Sequence, residues 1–298
     1  MIFSTHTKEI LALHYVYPLP LHKLLRLLSP DDLLKDFHRA TASDIATALQ
    51  MPVQKAEQLM QSYRRSITMP LEEAYAKADI VALPYTHPFY PRHLFELVNP
   101  PAVLYVKGKL SLLTNTKRVA IIGSRKATSY SKTAMDYILP PLIEKRYTIV
   151  SGLAKGADTL AHVGALKYGG QTIAVLGHGF HHLYPKENAE LANKIASEHL
   201  LLTEYPPYMK PEKWHFPMRN RIISGLSQAL VVTESTLRSG TLITTELALE
   251  QGKDVFVVPG PIDSEQSQGT NKLLIEGAIP VVNGYQIVEM LELFSSKY

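Results

Sequence analysis

The 298-residue chain has no cysteine, a single tryptophan, only 19% charged residues and no long apolar run. Without cysteine there is no disulfide scaffold, no thiolate metal site and no cysteine nucleophile. The absence also fits a reducing cytoplasm. No apolar stretch approaches the roughly 18 to 20 residues of a membrane span, and Lys8, Glu9, Lys23 and Arg26 interrupt the first 30 positions, so neither a leader nor an anchor is expected. Charge of one sign is scarce as well. A formal net charge of +4 is too weak to announce a polyanion-binding protein unless the charge is concentrated. What is abundant is apolar sequence, 46%, which excludes disorder; the length suggests about two domains.

From Met1 to about Pro70, apolar residues recur at helical spacing, as in Ile10, Leu11, Leu13 and then Leu21, Leu24, Leu25, Leu28, with breaks at Pro18, Pro20 and Pro30. Thr41-Ala-Ser-Asp44 has the form of a capping box, and Met51-Pro52 opens a further helix through Val53, Ala56, Leu59, Met60 and Tyr63. Two short helices around Gln50-Met51-Pro52 suggest a helix-hairpin-helix module, but its phosphate-approaching glycine hairpin is missing. The segment reads as a helical packing domain, residues 1–70. A proline- and aromatic-rich leader from Pro84 to Gly108 follows, with a strand over 101–106.

Beyond Thr116 the pattern changes to short β-branched runs separated by helical segments. The runs lie at 119–122, 147–150, 172–176, 200–203, 229–233, 254–258 and 279–282. Apolar strands alternating with helices predict an α/β fold, an extended Rossmann-like doubly wound parallel sheet, over residues 71–298. In such sheets ligands gather at the carboxyl ends of the strands. There the sequence places Gly123, Ser124 and Arg125, then Ser151, Gly152, Lys155 and Gly156, then Lys186 after Tyr184-Pro185. Arg219, Asn220 and Arg221 precede the next strand, and Ser239, Gly240 and Thr241 follow it. Small residues let phosphate oxygens reach backbone N–H groups, and Arg and Lys supply charge, so the set predicts a phosphate-binding trough.

Charge distribution agrees. From Lys117 to Lys132 there are five basic residues and no acidic one, whereas Ser239 to Tyr298 holds three basic and eight acidic residues. A dinucleotide turn would need further glycines after Gly123, and no P-loop motif occurs. Several separate anion loops, with Tyr130, Phe180, Tyr184, Trp214 and Phe216 nearby, suit a sugar-phosphate chain with unstacked bases better than a compact nucleotide.

At this point the sequence closely resembles the DprA/Smf family of DNA-processing proteins of natural transformation. The resemblance rests on Val119-Ala-Ile-Ile-Gly-Ser-Arg125, Val150-Ser-Gly-Leu-Ala-Lys-Gly-Ala-Asp158, Thr172-Ile-Ala-Val-Leu-Gly-His-Gly179 and Phe216-Pro-Met-Arg-Asn-Arg-Ile-Ile-Ser224. Glu234, Ser239-Gly-Thr241, Val258-Pro-Gly260 and Gly269-Thr-Asn271 extend it, and it covers about Ile80 to the end. The helical front is similar, more loosely, to the SAM-like domain of many members. The resemblance implies a cytoplasmic, non-enzymatic, dimeric protein without a cofactor. It would bind single-stranded DNA, protect incoming DNA, interact with RecA and load it onto strands otherwise coated by single-strand-binding protein. It also implies that the residues named at the strand ends hold phosphates, with Lys186 flanking the groove. Some members end in a winged-helix-like domain; here the last pattern is Gln286 to Phe294, so that module and a duplex-DNA role are not expected.

The enzymatic alternative is a nucleotide phosphoribohydrolase of the lysine-decarboxylase-like Rossmann group. It would use Ser239-Gly240-Thr241 with Glu246, but Leu237-Arg238 stands where its loop needs Pro-Gly-type residues. His178, His181 and His182 lack a neighbouring carboxylate before Glu187 and read as surface or DNA-facing residues, not metal ligands. Asp158 and His162 read as a cap and a packing residue, since no nucleophile accompanies them.

Overall fold

The computed structural model describes residues 4–28 and 40–295. Among the described residues five helices open the chain: α1 (Thr5–Val16), α2 (Leu21–Leu28), α3 (Ala42–Leu49), α4 (Val53–Ser66) and α5 (Leu71–Lys77). The capping box at α3 forms as expected, with Thr41 Oγ1 accepting from Asp44 N and the Asp44 carboxylate accepting from Thr41 N. Gln50 ends α3 with φ 53°, standing where a glycine would be conformationally easier. The break read at Pro30 lies outside the described residues.

The remainder builds one nine-stranded sheet in the order β1-β2-β6-β5-β4-β3-β7-β8-β9. Its strands are β1 (Val81–Pro84), β2 (Val103–Gly108), β3 (Arg118–Ile122), β4 (Thr148–Ser151), β5 (Thr172–Leu176), β6 (Leu200–Thr203), β7 (Ala229–Val232), β8 (Asp254–Val257) and β9 (Ile279–Pro280). From β6 across to β9 every pairing is parallel; β2 joins β6, and β1 joins β2, antiparallel. The connecting helices are α6 (Ser129–Glu144), α7 (Ala157–Lys167), α8 (Ala189–Glu198), α9 (His215–Gly225), α10 (Gly240–Glu250) and α11 (Gln268–Ile275), with α12 (Gly284–Ser295) last.

Both faces of the parallel part are covered, which explains why its strands are apolar throughout. Alternate residues serve opposite sides. Val119 and Ile121 join α6, α7 and α12 in one core cluster, while Ala120 and Ile122 join residues of α9, α10 and α11 in another. The antiparallel extension is shared in the same way. Leu104 and Val106 of β2 belong to the main core, whereas Val103 and Tyr105 pack into the cluster of the front helices, where His14 Nδ1 lies 3.2 Å from Tyr105 Oη. Burial holds the His14 imidazole pKa down to about 3, so it is neutral at ordinary pH.

Successive strands run from β3 through β4 and β5 to β6 in one direction, and from β7 to β9 in the other. The strand order therefore reverses between β3 and β7, and a crevice opens there at the carboxyl ends. Among the described residues no helix is long and apolar enough to cross a membrane.

Candidate nucleic-acid interface

Three loops meet above the β3–β7 crevice, and glycines set how closely they meet. Gly156 has φ +76°, and a Cβ there would lie 2.3 Å from Ser124 O; Ala157 N instead donates to that oxygen at 3.0 Å. Ser124 N donates to Glu234 O at 2.7 Å, tying the β3 loop to the β7 loop. Buried Glu234 completes the tie, its carboxylate accepting from Thr128 N and Thr128 Oγ1, both at 2.7 Å. The loop framework is thus rigid and satisfies its own polar groups.

This framework encloses a cleft of about 500 Å³ whose lining includes Gly123, Ser124, Arg125, Lys126, Arg219, Asn220, Arg238 and Ser239 to Thr241. A smaller pocket of about 50 Å³ adjoins it over β4 and β5, lined by Gly152, Lys155, Gly177, Tyr184 and Pro185. Arg125, Ala154, Phe216 and Arg219 line both, so the two form one groove across the strand ends. The Arg125 guanidinium sits 5.5 Å from the Phe216 ring centroid, a cation–π distance. At the far wall Ser239 caps α10, accepting from Thr241 N at 3.1 Å, while Gly240 has open space around it.

The predicted residues occupy different depths. Arg125 is exposed on the rim, as are Lys126 and Arg238, two basic residues outside the predicted set. Arg219 is only 3% exposed and forms the floor, its guanidinium donating to Gly152 O, Val175 O and Asn220 Oδ1. Beside it lies buried Asp158. Burial pushes the Asp158 carboxyl up and the Arg219 guanidinium down, each partly offset by the other's charge. Asn220 Nδ2 donates to Thr244 Oγ1 at 2.6 Å, locking α9 against α10.

Four predicted residues do not line the groove. Arg221 is buried elsewhere and pairs with Glu204 at the end of β6. Ser151 is fully buried and donates to Ile121 O across the sheet at 2.7 Å. Gly156 acts through loop approach, and exposed Lys186 lies outside both linings. Lys155 lines the small pocket but its Nζ is 2.5 Å from Glu187 Oε1. Phe216, Arg238, Thr236, Thr244 and Gln266 also line the cleft. A basic residue between the end of β7 and the start of α10 was a readable signal for Arg238; Gln266 carried none.

The alternative chemistries find little support in the geometry. Glu246 is exposed on α10 and outside both linings. Asp158 accepts from Ala154 N at 3.3 Å, while His162 Nδ1 lies 2.7 Å from Thr172 Oγ1, so the two serve separate hydrogen bonds. His178 is buried, its ring nitrogens engaging Gly179 O and the Tyr184 backbone. Among the described residues no group of three or more His, Asp or Glu side chains is placed to share a metal ion.

Residues 82–292 match the family model described as DNA recombination-mediator protein A. The DNA processing protein DprA of Bacillus subtilis is 38% identical over 279 residues, covering 90% of this chain and 93% of that protein. An X-ray structure of DprA from Streptococcus pneumoniae superposes with a TM-score of 0.80 at 35% identity, covering 97% of this chain and 98% of the other. A Helicobacter pylori DNA processing protein A structure, described for its single-stranded DNA binding mode, has a TM-score of 0.64 at 32% identity and covers 71% of this chain and 95% of the other. With a family match spanning most of the sequence and relatives alike in both sequence and fold, the chain belongs to the DNA recombination-mediator protein A family, that of DprA and Smf.

Proposed function

We propose that this protein binds single-stranded DNA along the groove over β3, β4, β5 and β7, protects incoming DNA and loads RecA onto it during natural transformation and recombination. The observation that carries the reading is the exposed basic rim of Arg125, Lys126 and Arg238 above a cleft with glycine, serine and the α10 N-terminus in its wall. The arrangement offers charge and backbone donors to successive phosphates but no base code. The Helicobacter pylori relative supports the choice of ligand. The reading is non-enzymatic: of the two carboxylates lining the cleft, Asp158 is buried beside Arg219 and Glu265 is an exposed side chain of the outer wall.

In this proposal the helical front, residues 1–70, is a SAM-like domain, and residues 71–298 form the DNA-binding unit. The protein works in the cytoplasm as a homodimer with RecA and single-strand-binding protein as partners. Exposed Ile262, Ile275 and Val282 near the short edge strand β9 offer apolar surface for the second copy.

A gel-shift series with single-stranded and duplex DNA of equal length across salt tests the proposal. Three to four phosphate contacts predict a log–log salt slope of about −2 to −3 on single strands, with clearly weaker duplex binding. Binding to neither, or indifference between them, overturns it. Release of adenine from AMP well above that of a Glu246→Gln variant would favour the nucleotide hydrolase instead.

A further inference from the structure

The groove crosses the ends of β7, β3, β4 and β5, and the next strand in the sheet order is β6. Adjacent strands lie about 4.8 Å apart, so the end of β6 is one such step beyond the small pocket. What stands there is aromatic. Tyr205 follows β6 closely, its backbone N donating to Thr203 Oγ1 at 3.1 Å, and its ring stacks on His215 with centroids 3.9 Å apart. Both rings are buried. Against them rests Trp214 at the N-cap of α9, its ring centroid 4.1 Å from that of His215 and 6.3 Å from that of Tyr205. Trp214 is 59% exposed. Its loop is tied down along its length: Glu212 N donates to His215 Nδ1 at 3.2 Å, His181 N donates to Pro207 O at 2.9 Å, and Tyr208 Oη donates to Tyr15 O of α1. Exposed Lys210 and Lys213 belong to the same loop, in which Glu212 is the one acid. An indole backed by buried rings, left in water and flanked by lysines has the make-up of a stacking surface for a polyanion.

We propose that Trp214 is a second contact for the strand, outside the groove: a base that has passed β5 stacks on the indole at the end of β6, with Lys210 and Lys213 supplying charge to the phosphates beside it. This role rests on the single-strand reading and lengthens its footprint toward the helical front. Continuity comes from α9, because Phe216, two residues after Trp214, lines both parts of the groove. Consecutive helical residues turn by about 100°, so Phe216 faces the groove while Trp214 faces the β6 side. The lysines and this continuity select a nucleic acid over an apolar protein surface. A strand that only fills the groove gains nothing from Trp214, whereas a longer one does. A duplex gains nothing at any length, since its bases are paired.

Trp214 supplies its own readout, because the chain has no other tryptophan to contribute to the fluorescence. Saturating the full-length protein with a long thymidine strand is expected to quench that emission, while a fully abasic strand of the same length binds without quenching it. Trp214→Ala, compared at matched thermal stability, is expected to weaken binding to the long thymidine strand about tenfold and to leave the abasic strand, short thymidine strands and the salt slope unchanged. Trp214→Phe is expected to keep most of the wild-type affinity, and it decides the matter together with wild-type fluorescence if the alanine variant folds poorly. Unquenched emission at saturation, or equal losses on thymidine and abasic strands, overturns the Trp214 contact while gel shifts leave the single-strand reading intact. A wild-type protein that binds neither strand removes both.

Discussion

The floor and the rim of the groove contain the same residue types in opposite situations. In the floor, Arg219 is buried and its guanidinium bonds to the ends of β4 and β5; Arg221, buried outside the groove, pairs with Glu204. Arg125, Lys126 and Arg238 are exposed around the cleft, within reach of a ligand. Buried Arg219 commits its donors to shaping the site, because an unmet guanidinium in the interior is expensive. An exposed one keeps its donors for a partner. Gly152 shows how literally the floor is built: a Cβ at that position would lie 2.4 Å from Arg219 Nη1. Its missing side chain makes room for a guanidinium of the protein itself.

The sharpest way to break this distinction is to remove a floor residue. Arg219→Ala strands Asp158 in the interior without the Arg219 charge and leaves the carbonyls of Gly152 and Val175 without that donor. The expected cost is about 3 to 5 kcal/mol of folding stability, read by urea denaturation, with DNA binding lost because the loops no longer hold their places. An Arg219→Ala protein of wild-type stability that fails to bind DNA would move Arg219 into the ligand-contacting set.

The rim gives the complementary result at a smaller scale. Arg125→Ala removes an exposed charge that sits over the Phe216 ring. Stability should stay within about 0.5 kcal/mol. Binding to oligo-dT and to mixed sequence should weaken alike, about tenfold, with the salt slope flatter by about 0.7. A sequence-dependent loss, measured by the same gel shifts, would mean that Arg125 reads bases and that the rim is more than an electrostatic track.

Depth is where sequence reading and structure part. The parallel strands were legible because their apolar runs are unbroken: the predicted runs at 172–176 and 200–203 coincide with β5 and β6, and the others differ by a residue or two at their ends. Strand β1, four residues ending in Pro84, and helix α9, with Pro217 in its first turn, were not legible, because proline and a mixed polar pattern resemble loop. Once Phe216 to Arg221 is helical, the grouping of Arg219 with Arg221 fails on geometry alone. Consecutive helical residues point about 100° apart, so these two face nearly opposite ways, one under the groove and one toward Glu204. Composition located the strand ends that line the cleft. It carried no information on which cations the protein keeps for itself.

Lys155 falls between the two layers, and the smallest expected effect concerns it. Its side chain is 56% exposed, as a rim residue should be, yet its Nζ is bonded to Glu187, as a floor residue's donors are. Both members of the pair are solvated, so the bond adds little to stability, and a phosphate arriving in the small pocket would compete with the Glu187 carboxylate for the ammonium. Glu187→Gln removes the competitor and a repulsive charge while keeping the chain length. It should tighten single-strand binding roughly two- to threefold and steepen the salt slope by at most about 0.7, the contribution of one phosphate contact, with no change in melting temperature. If affinity and slope both stay at wild-type values, Lys155 makes no phosphate contact even when released, and the free rim ends at Arg125.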